Sequence, residues 1–193
     1  LPDTLQVRVA ERVPMAQVWA WQRDGADVTD YDCVRLQLDE TGHVMSPIDG
    51  RSVVAPEKQA EWSLPVVSGI ELKELKSLAP GRPAGLPKLR AALGLIGEFR
   101  RSPLAGVVDL RVIDLSQPRI LRVTTGDGGQ VDLSTDRLAR QLNRWARIRA
   151  HGQKFGLAIE TVDLSVTNNV PVRWMLSPTI AEDIKSDRNL AGK

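Results

Sequence analysis

Apolar and polar residues alternate with a period of two along several short runs of this chain, the pattern of strands that bury one face. Leu5, Val7 and Val9 make the first run, and Glu11-Arg12-Val13-Pro14 ends it. Met15 to Trp21 is a second apolar run, followed by the polar stretch Arg23 to Asp32 with a turn at Asp24-Gly25. Val34, Leu36 and Leu38 alternate again; Asp39-Glu40-Thr41-Gly42 predicts a hairpin turn and His43-Val44-Met45 the return strand. Pro47 to Glu57 has the composition of a loop. Leu64 to Gly69 is a short apolar segment closed by glycine, and Glu71 to Leu78 predicts a short helix with Leu72, Leu75 and Leu78 on one side. Pro80-Gly81-Arg82-Pro83 with Gly85 is the strongest loop signal and predicts the main internal break.

The period changes to the helical one over Pro87 to Arg101, where Leu89, Leu93, Ile96 and Arg100 recur with Leu86, Ala92 and Phe99 beside them. Pro87 suits a first helical turn, Arg100 and Arg101 suit the negative end of the dipole, and Pro103 stops continuation. A meander follows: Val107 to Leu115, Arg119 to Thr125 and Gln130 to Leu133, the last two joined through Gly126-Asp127-Gly128-Gly129. Ser134 is the predicted N-cap of a second helix, Thr135 to Ala150, with Leu138, Leu142 and Trp145 inward. Arg137, Arg140, Arg144 and Arg147 form a stripe on a neighbouring face, either a solvated surface or a contact for an acidic partner or a membrane surface.

The closing stretch Thr161 to Met175 predicts two strands around a turn at Asn168-Asn169. Pro171 falls inside the second. Proline has no N–H to give a ladder, so this strand is predicted at the sheet's edge. An edge can accept an extended partner by strand addition, which makes Asn168, Asn169, Val170, Val172, Arg173 and Trp174 the candidate binding residues. The same proline can equally guard an ordinary edge against aggregation. Trp174 fits both an interface hot spot and packing against the second helix. Strands with two amphipathic helices laid on them define an α+β fold, a curved and mostly antiparallel sheet.

Composition narrows the function. The 193 residues, 42% hydrophobic and 26% charged, suffice for one domain or a domain and a fragment without metal or disulfides. A net charge of +2 does not point to nucleic acid, and the single Cys33 has no internal partner and reads as packing. No run reaches the ~20 apolar residues of a membrane helix. The chain opens at Leu1 in a strand-like pattern and reads as a fragment whose natural N-terminus has been removed. His43 and His151 suggest no third metal ligand, the Gly126 to Gly129 loop joins strands and not a strand to a helix, and no serine sits in a nucleophile elbow. No cofactor is implied. Asp109, Asp114, Asp132 and Asp163 fall on strand patterns; solvated strand faces account for them, and a glycosidase-like acid pair is the alternative.

Four segments resemble, in order, the FtsQ/DivIB family of bacterial cell-division proteins. Leu1-Pro2-Asp3-Thr4-Leu5-Gln6-Val7-Arg8-Val9 with Glu11-Arg12-Val13-Pro14-Met15-Ala16 is similar to the segment that ends the family's POTRA domain. Leu38 to Val44 is similar to its D-x-x-G hairpin, Leu64 to Gly69 to its L-P-x-L-x-G segment, and Val162 to Trp174 to its closing strand pair. Departures are Leu1 in place of a tryptophan, Ser134 in place of a glycine, and Ser165-Val166 where relatives carry a basic and an aromatic residue. The resemblance implies residues 1–16 as the end of a POTRA-like domain, 17–176 as the β domain and 177–193 as a polar tail. It implies a non-catalytic scaffold of the divisome, anchored in the inner membrane by a helix outside this chain, with this domain on the periplasmic side. It implies FtsB/FtsL-type partners added as a strand at the last edge, with Trp174 at an aromatic contact position. An envelope glycan hydrolase using paired carboxylates is the competing reading.

Overall fold

A computed structural model describes residues 11–23, 31–45 and 64–177. In chain order the elements are β1 (Pro14–Arg23), β2 (Tyr31–Asp39), β3 (Val44–Met45), β4 (Val66–Ser68), α1 (Leu72–Leu75), α2 (Pro87–Arg100), β5 (Leu110–Asp114), β6 (Ile120–Thr125), β7 (Gln130–Ser134), α3 (Leu138–Gln153), β8 (Leu157–Asp163) and β9 (Val172–Leu176). The expected strand at Leu5 to Ala10, the turn at Asp24-Gly25, the Pro47 to Glu57 loop and the tail beyond Ser177 lie outside the described residues.

All the strands join one sheet in the order β3-β2-β1-β4-β5-β6-β7-β8-β9. The sheet is mixed. β1/β4, β4/β5 and β7/β8 pair parallel, and the other neighbours pair antiparallel. The two long helices are therefore crossovers: α2 lies between parallel neighbours β4 and β5, and α3 between β7 and β8. β4 and β7 run the same way, and both crossovers step in the same direction across the sheet. Right-handed crossovers then put both helices on one face. The rings of Phe99 in α2 and Trp145 in α3 meet at 6.1 Å between centroids, as that geometry requires.

The core sits between this helix layer and the sheet. Leu89, Leu93, Ile96 and Phe99 point inward from α2, and Leu142 and Trp145 from α3, onto Ile113, Val123, Val131 and Val162 of the strands. Arg100, which shares the helical period, is exposed. Each fully buried large apolar side chain contributes roughly 1.5–3 kcal/mol.

Three of the motifs that carry the family resemblance turn out to be framework. Arg12 pairs with the buried Asp39 at the β2–β3 turn, so the E-R-x-P and D-x-x-G segments meet. Asp39 also accepts from the Thr41 N–H (2.9 Å), the Thr41 hydroxyl (2.7 Å) and the His43 N–H (2.8 Å). The Pro65 carbonyl accepts from Gln17 N–H at 2.9 Å, which seats β4 against β1. Gly69 ends β4 at φ +74° against the backbone of Leu115, where a Cβ would come within 2.8 Å of the Leu115 nitrogen.

Three expectations change. The Pro80–Gly85 stretch is no internal break: it is sewn to the β2–β3 hairpin by Gly81 N to Val44 O (2.8 Å), Val44 N to Arg82 O (2.9 Å) and Ala84 N to Gly42 O (2.8 Å). Helix α3 begins at Leu138, not Thr135, because Ser134 still belongs to β7 and Thr135 N–H donates to Arg119 O. Its N-cap is Arg137 at φ 53°, ψ 40°, without a capping side chain. The β8–β9 connection is long, spanning residues 164–171, because Asp163 Oδ1 accepts from both Ser165 N (2.9 Å) and Ser165 Oγ (2.6 Å) and turns the chain early.

Candidate functional site

β9 closes the sheet, with β8 on one side and no further strand on the other among the described residues. Its register with β8 is Val162↔Val172, Thr161↔Arg173, Ile159↔Trp174, Ala158↔Met175 and Leu157↔Leu176, with an irregularity at Glu160. Two bonds fix which groups face outward. Asp163 N–H donates to Pro171 O (3.2 Å) and Ser177 N–H to Gly156 O (3.1 Å). In an antiparallel pair, alternate residues turn their N–H and C=O toward the partner. Pro171, Arg173, Met175 and Ser177 therefore address β8, while Val172, Trp174 and Leu176 turn their backbone groups to the open edge. Pro171 lies just before β9 and withholds its missing N–H from β8. It does not guard the open side.

Of the six candidate residues, Val172, Arg173 and Trp174 are in β9, whereas Asn168, Asn169 and Val170 are in the connection, with Asn169 at φ 50°. The exposed Arg173 pairs with Glu160 at 3.3 Å. Trp174 is half-buried and packs against the core. Its ring lies over Gly152 of α3, where an added Cβ would come within 2.9 Å of Trp174 Cη2. The only described apolar side chain of β9 that is mostly in solvent is Leu176, at 57% exposure.

The arginine stripe divides. Arg144 donates to the carbonyls of Val166 and Thr167, both at 3.0 Å, and so ties α3 to the β8–β9 connection. Arg137 and Arg140 are exposed at the start of α3, and Arg147 is exposed further along.

The strand carboxylates are all engaged. Asp109 pairs with Arg111 at 2.5 Å, and Asp114 accepts from Ser116 N and Oγ, both at 2.9 Å. Asp114, Arg122, Asp132 and Asp163 stand in one cross-strand row over β5 to β8, on the face away from the helices. Arg122 and Asp132 form a fork, Nε to Oδ1 and Nη2 to Oδ2, both 2.8 Å. The hydrogen bonds to Asp132, its charge, and then the charges of Asp114 and Asp163 push the Arg122 pKa up. Sequence reasoning missed this row, although Arg122 and Asp132 lie equally far from Asp127 at the centre of the β6–β7 turn, which makes them cross-strand partners.

A mixed sheet with two same-face crossovers, and with no strand beyond β9 among the described residues, defines an α+β domain. The C-terminal region of the cell-division proteins FtsQ/DivIB matches residues 27–165, and the chain belongs to that family. No curated protein matches it. Membership assigns a role in cell division, within a non-catalytic scaffold family whose partners are other divisome proteins. Family members are membrane-anchored with a periplasmic domain; no helix among the described residues is long and apolar enough to cross a membrane. The match ends at Ser165, so the open edge of β9 lies beyond it.

Proposed function

We propose that this domain is the part of a divisome scaffold that captures a small membrane division protein of the FtsB/FtsL kind by strand addition along β9. Residues 17–176 act as the β domain after the end of a POTRA-like domain at 1–16, on the periplasmic side of the inner membrane. The observation that carries the reading is the outward direction of the N–H and C=O groups of Val172, Trp174 and Leu176. Main-chain bonds along this row supply affinity, and the Trp174 and Arg173 side chains add selectivity. Asn168, Asn169 and Val170 flank the row as the partner's exit.

Proline substitutions test the direction as well as the place. Leu176→Pro removes an outward N–H and leaves the β8 ladder intact, so it lowers affinity for a partner peptide about tenfold, the equivalent of ~1.4 kcal/mol, while the fold persists. Met175→Pro removes an N–H that faces β8 and lowers stability instead. Hydrogen exchange of the domain with and without the peptide reads both; protection gained elsewhere, with none at residues 172–176, would defeat the proposal.

A further inference from the structure

A depression of about 520 Å³ lies between the start of α3 and the first half of the β8–β9 connection. One wall is the turn that launches α3. The buried Gln141 holds it: Gln141 Oε1 accepts from Ser134 N (2.9 Å), and Nε2 donates to Ser134 O (3.1 Å) and Ser134 Oγ (2.9 Å). The other wall is residues 164–167, held by Arg144 through two carbonyls and by Asp163 through Ser165. The framing groups are thus used up in fixing the walls. What remains is Arg137 and Arg140. Their guanidinium groups make no hydrogen bond or ion pair among the described residues, and Asp136 is the one acid lining the depression.

Arg137 carries a second signal. It holds a left-handed backbone conformation that residues with a Cβ avoid and glycine adopts freely. The turn that Gln141 fixes holds this conformation and sets Arg137 at the depression.

We propose that this depression binds an acidic peptide segment of a partner protein, with two carboxylates received by Arg137 and Arg140. Arg137 immediately precedes α3 and Arg140 lies in its first turn, so both line one depression, where two acidic side chains of one segment can meet them. A flat anionic membrane would not enter between two walls, and no aromatic lines the depression to stack a base. The site is on the helix-covered side of the sheet and does not depend on strand addition at β9.

The test is fluorescence anisotropy of a labelled hexaglutamate peptide titrated with the full chain at about 0.15 M salt, where general attraction between exposed charges is largely screened beyond ~8 Å. The Arg137→Gly/Arg140→Ala variant should weaken binding about tenfold or more. Arg82→Ala/Arg147→Ala, which removes the same charge elsewhere, should change it less than about twofold. Arg137→Gly should keep or raise the melting temperature, since glycine relieves the positive φ, so lost binding cannot be put down to unfolding. Equal weakening by both double variants, or no binding to the unaltered chain, would overturn the proposal. So would binding to phosphatidylglycerol vesicles, lost in Arg137→Gly/Arg140→Ala, with hexaglutamate ignored.

Discussion

Asp39 shows how one side chain can hold a family motif together. It is 4% exposed, and burial alone would raise its pKa. Hydrogen bonds from the Thr41 hydroxyl, the His43 N–H, Arg12 and the Thr41 N–H outweigh burial and lower it to about 2 from the ordinary 3.8. A folded-state pKa below the unfolded one means stability that is complete above the unfolded value and disappears as pH falls through the folded value. The contribution is therefore present above pH 3.8 and lost toward pH 2. It amounts to about 2 kcal/mol at neutral pH. Asp39→Asn should lower stability by that order at pH 7, and the gap between the variant and the parent should close in denaturant titrations run toward pH 2. The D-x-x-G pattern was visible in the chain. That its aspartate would be buried against Arg12, twenty-seven positions earlier, was not.

At the scale of elements, β9 and α3 depend on one another through Gly152 and Trp174. Leu138, Leu142 and Trp145 identify the inward side of α3 from spacing alone, and the structure buries Leu142 and Trp145 fully and Leu138 in part. Gly152 lies in the last turn of α3, and its missing Cβ is the space that Trp174 occupies. Gly152→Ala should push the Trp174 ring aside, costing about 1–3 kcal/mol by overpacking. Tryptophan fluorescence and the exchange rates of β9 report it; an unchanged β9 would show that the ring has other room. For the same reason Trp174→Ala is not a clean probe of the edge, since it also opens a gap beside α3. Ser134 has the chemistry of an N-cap, yet antiparallel pairing with Ile120 of β6 and the buried amide of Gln141 keep it in β7. Tertiary contacts outweighed local propensity there.

For the whole molecule, the decisive feature is that both long helices cross between parallel strands in the same sense. They share one face, and Trp145 joins them through Phe99. Trp145→Ala should cost about 3–5 kcal/mol. Hydrogen exchange should then quicken in α2 as well as α3; loss confined to α3 would mean the helices are stabilised separately. The opposite face, with its Asp114–Arg122–Asp132–Asp163 row, stays polar, and the two surfaces proposed for partners lie at the β9 edge and at the start of α3.

The chain alone determined the strand alternation of the β5–β6–β7 meander, the helix from Pro87, the D-x-x-G hairpin and the family resemblance, because each depends on residues close in sequence whose spacing matches a local period. It also indicated an edge at the C-terminus through Pro171. Only the tertiary structure decided that Pro171 faces β8 and that the outer row of β9 has no strand beside it among the described residues, that the Pro80–Gly85 loop is bonded to β3, and that the arginine stripe divides into a clamp at Arg144 and exposed groups at Arg137, Arg140 and Arg147. Each of these depends on which strand lies beside which and in what register. That is set by burying the apolar faces of distant segments against one another, and no short stretch of sequence contains it.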